Sequence, residues 1–199
     1  MQLRRHLLTL RLACATAMML LVAGCGTQPA TSTSPTPGAS PTASFNDTDI
    51  AWIQLMIPMD ERALLLTDLA PSRAADTAVT ALAAGTGSRL RAELRDLREL
   101  LKLSGAPDTR PHEGHTMPGM VPLDTIERAR DMTGAGFEQI LTEALRAHLT
   151  QSRTLCTGER AQGRAGKAKE LAADIADAAA DQLTRLDDLR PARTAPPKR

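Results

Sequence analysis

Two imidazoles and two thioethers fall within nine residues of this chain, in His112-Glu113-Gly114-His115-Thr116-Met117-Pro118-Gly119-Met120. Nitrogen donors beside soft sulfur donors suit copper, and the thioethers favour Cu(I). Pro111, Gly114 and Pro118 argue against a helix, so a loop able to wrap an ion is expected. A loop that must be ordered as it binds gives modest affinity. The bland alternative is a solvated linker whose Met-Pro-Gly-Met run packs on the rest of the fold.

Other chemistries find little support. A di-iron carboxylate centre in a helical bundle needs core glutamates and Glu-x-x-His motifs, and no Glu-x-x-His occurs. Glu93 and Glu143 stand alone and read as packing-edge or surface residues. Cys156 has Arg153 and Arg160 nearby but no histidine at its helical neighbours, which predicts a buried, inert thiol. Gly85-Thr86-Gly87 lacks the strand-to-helix setting of a nucleotide loop, and there is no Gly-x-Ser-x-Gly elbow. No catalytic residues are expected, and the chain does not read as an enzyme.

The elements that would position these donors are helical. Tyrosine is absent and aromatic residues make up 2% of the chain, whereas 3.6-residue periodicity is widespread. A first helix should start near Asn46-Asp47-Thr48-Asp49, kink at Pro58 and end by Pro71. A second should run from about Ser72 to Leu103, with Gly85 and Gly87 marking either a weak point or a close approach of two backbones. A short helix is expected over 123–132. A long one should begin at Phe137 and break at Gly158, Gly163 and Gly166, and a last one covers about 167–189. The long-long-loop-long-long order predicts two helical hairpins joined as a four-helix bundle.

The ends of the chain read differently. Arg4, Arg5 and Arg11 precede a short apolar run from Leu12 to Val22, a pattern that fits a cleaved signal peptide over 1–24. Val22-Ala23-Gly24-Cys25 resembles a bacterial lipobox, in which the cysteine is lipidated and becomes the mature N-terminus. Residues 25–44 would then be the lipidated Cys25 and a Thr/Ser/Pro tether, 45–190 the folded domain and 191–199 a disordered tail. The expected location is the extracytoplasmic face of the cell membrane, with the lipid anchor as the membrane contact. Losing residues 1–24 removes three of the 24 basic side chains and none of the 23 acidic ones, a net of −2. No basic stripe argues for nucleic acid. If Cys25 is lipidated, Cys156 has no disulfide partner.

The segment Met56-Ile57-Pro58-Met59-Asp60-Glu61-Arg62-Ala63 resembles the Met-Ile-Pro-His-His-x-x-Ala signature of a ferritin-like bundle family, domain-of-unknown-function family 305. Phe45 stands 14 residues before Met59 and Phe137 11 before His148, the two spacings that family shows before its paired histidines. The 112–120 loop is similar to the family's His-x-Met-Pro-Gly-Met linker, so the likeness extends over Phe45 to Leu189. It implies a ferritin-like four-helix bundle of two related hairpins, a place outside the cytoplasm and, in some members, copper binding.

Carried over by position, the first histidine pair falls on Met59 and Asp60, and the second on His148 and Leu149. The downstream methionine positions become Leu66 and Leu155. His148 alone keeps the family's ligand chemistry, and Met56, Met59 and His148 would make a Cu(I)-type set if the two halves face each other. Against that, methionine on a helix face fills core gaps, a lone histidine is a hydrogen-bonded core residue and Asp60 a solvated one. The functional expectation is a lipid-anchored protein that binds or buffers copper weakly. His112, His115, Met117 and Met120 do most of the binding, and His148, Met56 and Met59 assist. The competing expectation is a metal-free structural or interaction module of the cell envelope, its protein partner unknown.

Overall fold

The computed structural model describes residues 45–189. The signal peptide, lipidated Cys25, tether and C-terminal tail expected from the sequence lie outside those residues. Four long helices dominate: α1 (Asp47–Thr67), α3 (Thr77–Ser104), α5 (Gly134–Gln162) and α6 (Gly166–Asp188). Two short helices fill the connections, α2 (Ala70–Arg73) and α4 (Leu123–Asp131). Helices α1 and α3 form one hairpin and α5 and α6 the other; α1 packs on α5, and α3 on α6. This is the four-helix bundle of two hairpins that the periodicity predicts. Among the described residues there is no strand, and no helix is long and apolar enough to cross a membrane.

Local chemistry sets the helix ends. The Asn46 side chain accepts from the Asp49 backbone N–H while Asp49 accepts from the Asn46 N–H, a capping box that starts α1. Helix α1 then runs unbroken through Pro58 to Thr67. The second long helix starts at Thr77, five residues later than expected, because Pro71 initiates the separate turn α2 and Asp76 caps α3 through the Ala78 and Val79 N–H groups. Gly105, left-handed at φ 72°, closes α3. Helix α5 begins three residues before Phe137 and carries Gly158 without a break. Of the two α3 glycines, Gly87 marks a close approach, since a methyl there would lie 3.1 Å from Thr67 Oγ1 of α1, whereas Gly85 faces open space.

The core has two apolar halves. One gathers Phe137, Leu141 and Leu145 of α5 with Leu66 of α1 and Leu90 of α3. The other gathers Trp52, Ile53 and Ile57 of α1 with Leu97 of α3 and Ile175 of α6. Helix α6 reaches α5 closely because it buries alanines at 168, 172, 176 and 179.

One end of the bundle is tied by a buried carboxylate. Asp49 accepts hydrogen bonds from the backbone N–H groups of Arg164 and Ala165, each 3.0 Å, at the α5–α6 turn. It also accepts from Asn46 N–H at 2.5 Å. Burial alone would raise the Asp49 pKa, but these donors and the Glu159 carboxyl outweigh it and hold it below its ordinary value. Burial and the neighbouring Asp49 push Glu159 the other way, up to about 8, with Lys169 opposing. At neutral pH Glu159 therefore keeps its proton beside an ionised Asp49. Gly163 leaves the space this needs, since a Cβ there would collide with the Glu159 carboxyl.

Asp49→Ala leaves three backbone donors unmet and should lower stability by about 3 kcal/mol. Thermal unfolding followed by circular dichroism should show a drop in Tm on the order of 10 °C; a shift of under about 2 °C would contradict the anchoring role.

Candidate functional site

Between the two apolar halves lies a polar layer. In each long helix the buried residues change from one half to the other: between Ile57 and Ala63 in α1, Leu90 and Leu94 in α3, Leu149 and Cys156 in α5, and Ala176 and Ala179 in α6. Asp60, Glu93 and Ser152 fall within the first three of these intervals, and His148 sits at the edge of the third. Asp60 and His148 are buried to 0% and 1% exposure, in contrast to the solvated Asp60 expected from sequence. Glu93 is also buried rather than at a packing edge, while Glu143 is exposed as expected. Met56 and Met59 are wholly inside.

The layer holds two carboxyl groups with no cation inside it. Asp60 Oδ1 lies 3.5 Å from His148 Nε2, at the outer limit of a hydrogen bond. Neither Asp60 oxygen nor His148 Nδ1 has a hydrogen-bond partner among the described residues. Ser152 spends its hydroxyl on the His148 carbonyl at 2.9 Å. Burial, then the neighbouring Glu93 and Glu61, pushes the Asp60 pKa well above its ordinary value. Burial pushes His148 down to about 4, with the Gly119 backbone opposing. Burial lifts Glu93 to about 7 against the pull of Arg89. Burial thus pushes both members of the pair toward their uncharged forms. Cys156 lies beside it, pushed up to about 12 by burial and by Asp60, Glu93 and Glu159, so the thiol is inert as expected.

The 112–120 loop sits on this layer's outer edge, tied to α1 and pressed on α5. The buried Arg62 of α1 donates to the carbonyls of Glu113 and His115. Glu61, the next residue of α1, pairs with Arg110 at the loop's start and with Arg98 of α3. Gly119, at φ 75°, presses against α5, where a methyl would collide with the Gln151 side chain. The His112 and His115 rings stand edge to face with centroids 6.4 Å apart, His112 half-buried and His115 exposed. Met117 is half-buried, but Met120 turns inward at 3% exposure. His112 also borders a groove of about 470 Å³ between α1 and α5, lined by Trp52, Leu55 and Leu155.

The seven candidate ligands therefore divide. His112, His115 and Met117 face outward or sideways; Met120, His148, Met56 and Met59 lie inside. Among the described residues no three of His, Cys, Asp and Glu converge on one point. In the core, Asp60 and His148 are two donors without a third of those types, which falls short of a metal cage. The loop's pair of imidazoles with one partly exposed thioether matches copper in donor chemistry. The sequence held a signal for the buried Asp60, since it follows Ile53, Met56 and Ile57 at helical spacing; its charge argued the other way. Asp49 and Glu159 carried the same kind of signal.

An all-helical bundle of paired hairpins, with a fastened His/Met linker between them, defines a class of small helical domains. This chain belongs to the family described as domain of unknown function DUF305, whose model matches residues 49–190. A crystal structure of a DUF305 protein from Streptomyces coelicolor, described as secreted, is 18% identical and superposes with a TM-score of 0.65 over 71% of this chain and 91% of that one. A DUF305 fragment from Deinococcus radiodurans is 14% identical, with a TM-score of 0.66 over 73% of this chain and 97% of that one. No curated protein matches the chain.

Two outcomes follow from the buried titratable groups. His148→Leu replaces the imidazole that faces the Asp60 carboxyl with an apolar group and should cost about 2 kcal/mol in urea unfolding, whereas the double variant Asp60→Leu/His148→Leu should return to within roughly 1 kcal/mol of the parent. A double variant no better than the single one would refute the pairing. Glu159 and Glu93 titrate higher in the folded chain than in the unfolded one, so their contribution is full below about pH 4.5 and is lost as pH rises through about 7 to 8. Tm should fall from pH 6 to 9, and Glu159→Gln should flatten that fall; an unchanged slope in both Glu159→Gln and Glu93→Gln would count against it.

Proposed function

We propose that this chain is an extracytoplasmic, lipid-anchored protein that binds copper weakly through His112, His115 and Met117, and that it is not an enzyme. The observation that carries the reading is the pair of imidazoles 6.4 Å apart on a loop fastened to α1 by Arg62. Fastening lowers the entropy cost of collecting two nitrogen donors around an ion. Copper bound there would be held by nitrogen and soft sulfur, a set suited to storage or hand-over. The buried Met120, His148, Met56 and Met59 would support the loop through packing. For the compartment, the reading rests on the lipobox-like Val22-Ala23-Gly24-Cys25 and on the relative described as secreted.

A second reading, a metal-free module of the envelope, draws on the buried Asp60–His148 contact, which occupies the core positions without asking for a metal. Titration calorimetry of the full chain in detergent with Cu(I) and Cu(II) separates the two. Saturable heat that falls by tenfold or more in affinity, roughly 1.4 kcal/mol, in His112→Ala/His115→Ala is expected. Heat identical in parent and double variant would leave only the metal-free module.

A further inference from the structure

A cleft of about 230 Å³ opens between α3 and α6, on helices that contribute neither the loop nor the His148 contact. It is lined by Arg89 and Thr86 of α3 and by Arg185, Gln182 and Asp181 of α6. Neither the Arg89 nor the Arg185 guanidinium makes an ion pair or hydrogen bond among the described residues, although Arg91, Arg95, Arg98, Arg110 and Arg146 all find carboxylate partners. Two guanidinium groups without a carboxylate contact on the walls of one cleft leave positive charge for an anion to meet, with Glu93 in electrostatic reach of Arg89 alone.

The floor of the cleft gives an independent sign. Thr86 is 2% exposed and its hydroxyl has no partner. A threonine or serine inside a helix commonly relieves that cost by donating to the carbonyl four residues back. Thr142, Ser152, Thr154, Thr157 and Thr184 all do so here, but Thr86 does not. Its hydroxyl lies beneath the cleft, closed to solvent and with its donor unspent. The Gln182 amide oxygen is likewise buried without a partner, and a half-turn of the amide would present its two donors instead. Gly85 adds room, since a side chain there would meet open space.

We propose that this cleft binds a small phosphate-type oxyanion, either a free ion or the phosphate of a lipid headgroup. Arg89 and Arg185 supply charge-assisted hydrogen bonds from opposite walls, Thr86 donates from the floor and Gln182 turns its amide inward. The volume lies below the range of drug-sized ligand pockets, which limits the occupant to a single small group. Asp181 lines the rim and opposes the anion, so the site carries two positive groups against one negative.

Calorimetry of the full chain in detergent, titrated with inorganic phosphate and separately with a soluble glycerophosphodiester, tests this. Saturable binding of at least one is expected, weakened roughly tenfold or more in Arg89→Gln/Arg185→Gln. Binding of the diester assigns the site to a lipid headgroup, and binding of phosphate alone assigns it to the free ion. Thr86→Val provides a readout that survives poor expression of the arginine variant. It removes an unpartnered hydroxyl at constant shape, so Tm without ligand should hold or rise while the phosphate-dependent rise in Tm shrinks. Absence of binding by both ligands, or binding equal in parent and Arg89→Gln/Arg185→Gln, overturns the proposal, as does a Thr86→Val protein with its full phosphate-dependent shift.

Discussion

Asp60 and His148 must share the middle of the bundle with no cation of their own, and much of the interior is arranged around that demand. A charged carboxylate in such a place is costly unless paired, so burial pushes the carboxyl toward its protonated form and the imidazole toward its neutral one. Glu93 and Cys156 are drawn into the same electrostatic neighbourhood, each pushed toward its uncharged form. The apolar residues close ranks above and below as two clusters, with the polar layer between them. Gly119 and the linker seal the layer against α5, and Arg62 and Glu61 fasten that linker from the same stretch of α1 that supplies Asp60. One turn of α1 thus supplies both the buried acid and the clamps for the linker that covers it.

Much of the architecture was legible in the residues. The 3.6-residue pattern locates the four long helices, and Asn46 marks the start of the first because a side-chain acceptor there has a clear local meaning. Where the reading slipped, local signals competed. Pro71 reads as a stop, yet it starts the extra turn α2, which delays α3 to Thr77. Gly158 looked like a break, but tertiary packing carries α5 through it. The candidate site was less legible. Charge marks Asp60 as a surface residue, whereas its helical phase places it inside. Which of the two prevails depends on backbone donors and neighbours far apart in sequence, such as the Arg164 and Ala165 N–H groups that reach Asp49.

The loop and the core stand in a relation that the spacing of histidines alone does not convey. Met120 and Gly119 anchor the linker's far end against α5, close to His148, while His112 and His115 remain toward solvent. The linker's methionines therefore do different work: one helps close the core, and the other stays beside the exposed imidazoles. The likeness to the Streptomyces coelicolor and Deinococcus radiodurans proteins at 18% and 14% identity reflects the bundle itself.

The Asp49 anchor also has a mechanical consequence. It sits at the first turn of α1, two helical residues from the point where the chain enters the domain, and it grips the turn that joins the other hairpin. Tension applied through Phe45 meets those bonds before it reaches the α1–α3 contact. The load then passes sideways into α5 and α6, and the two hairpins resist it in parallel, as a knot shares strain between ropes. A pull from that side must shear several hydrogen bonds at once rather than unzip one helix turn by turn.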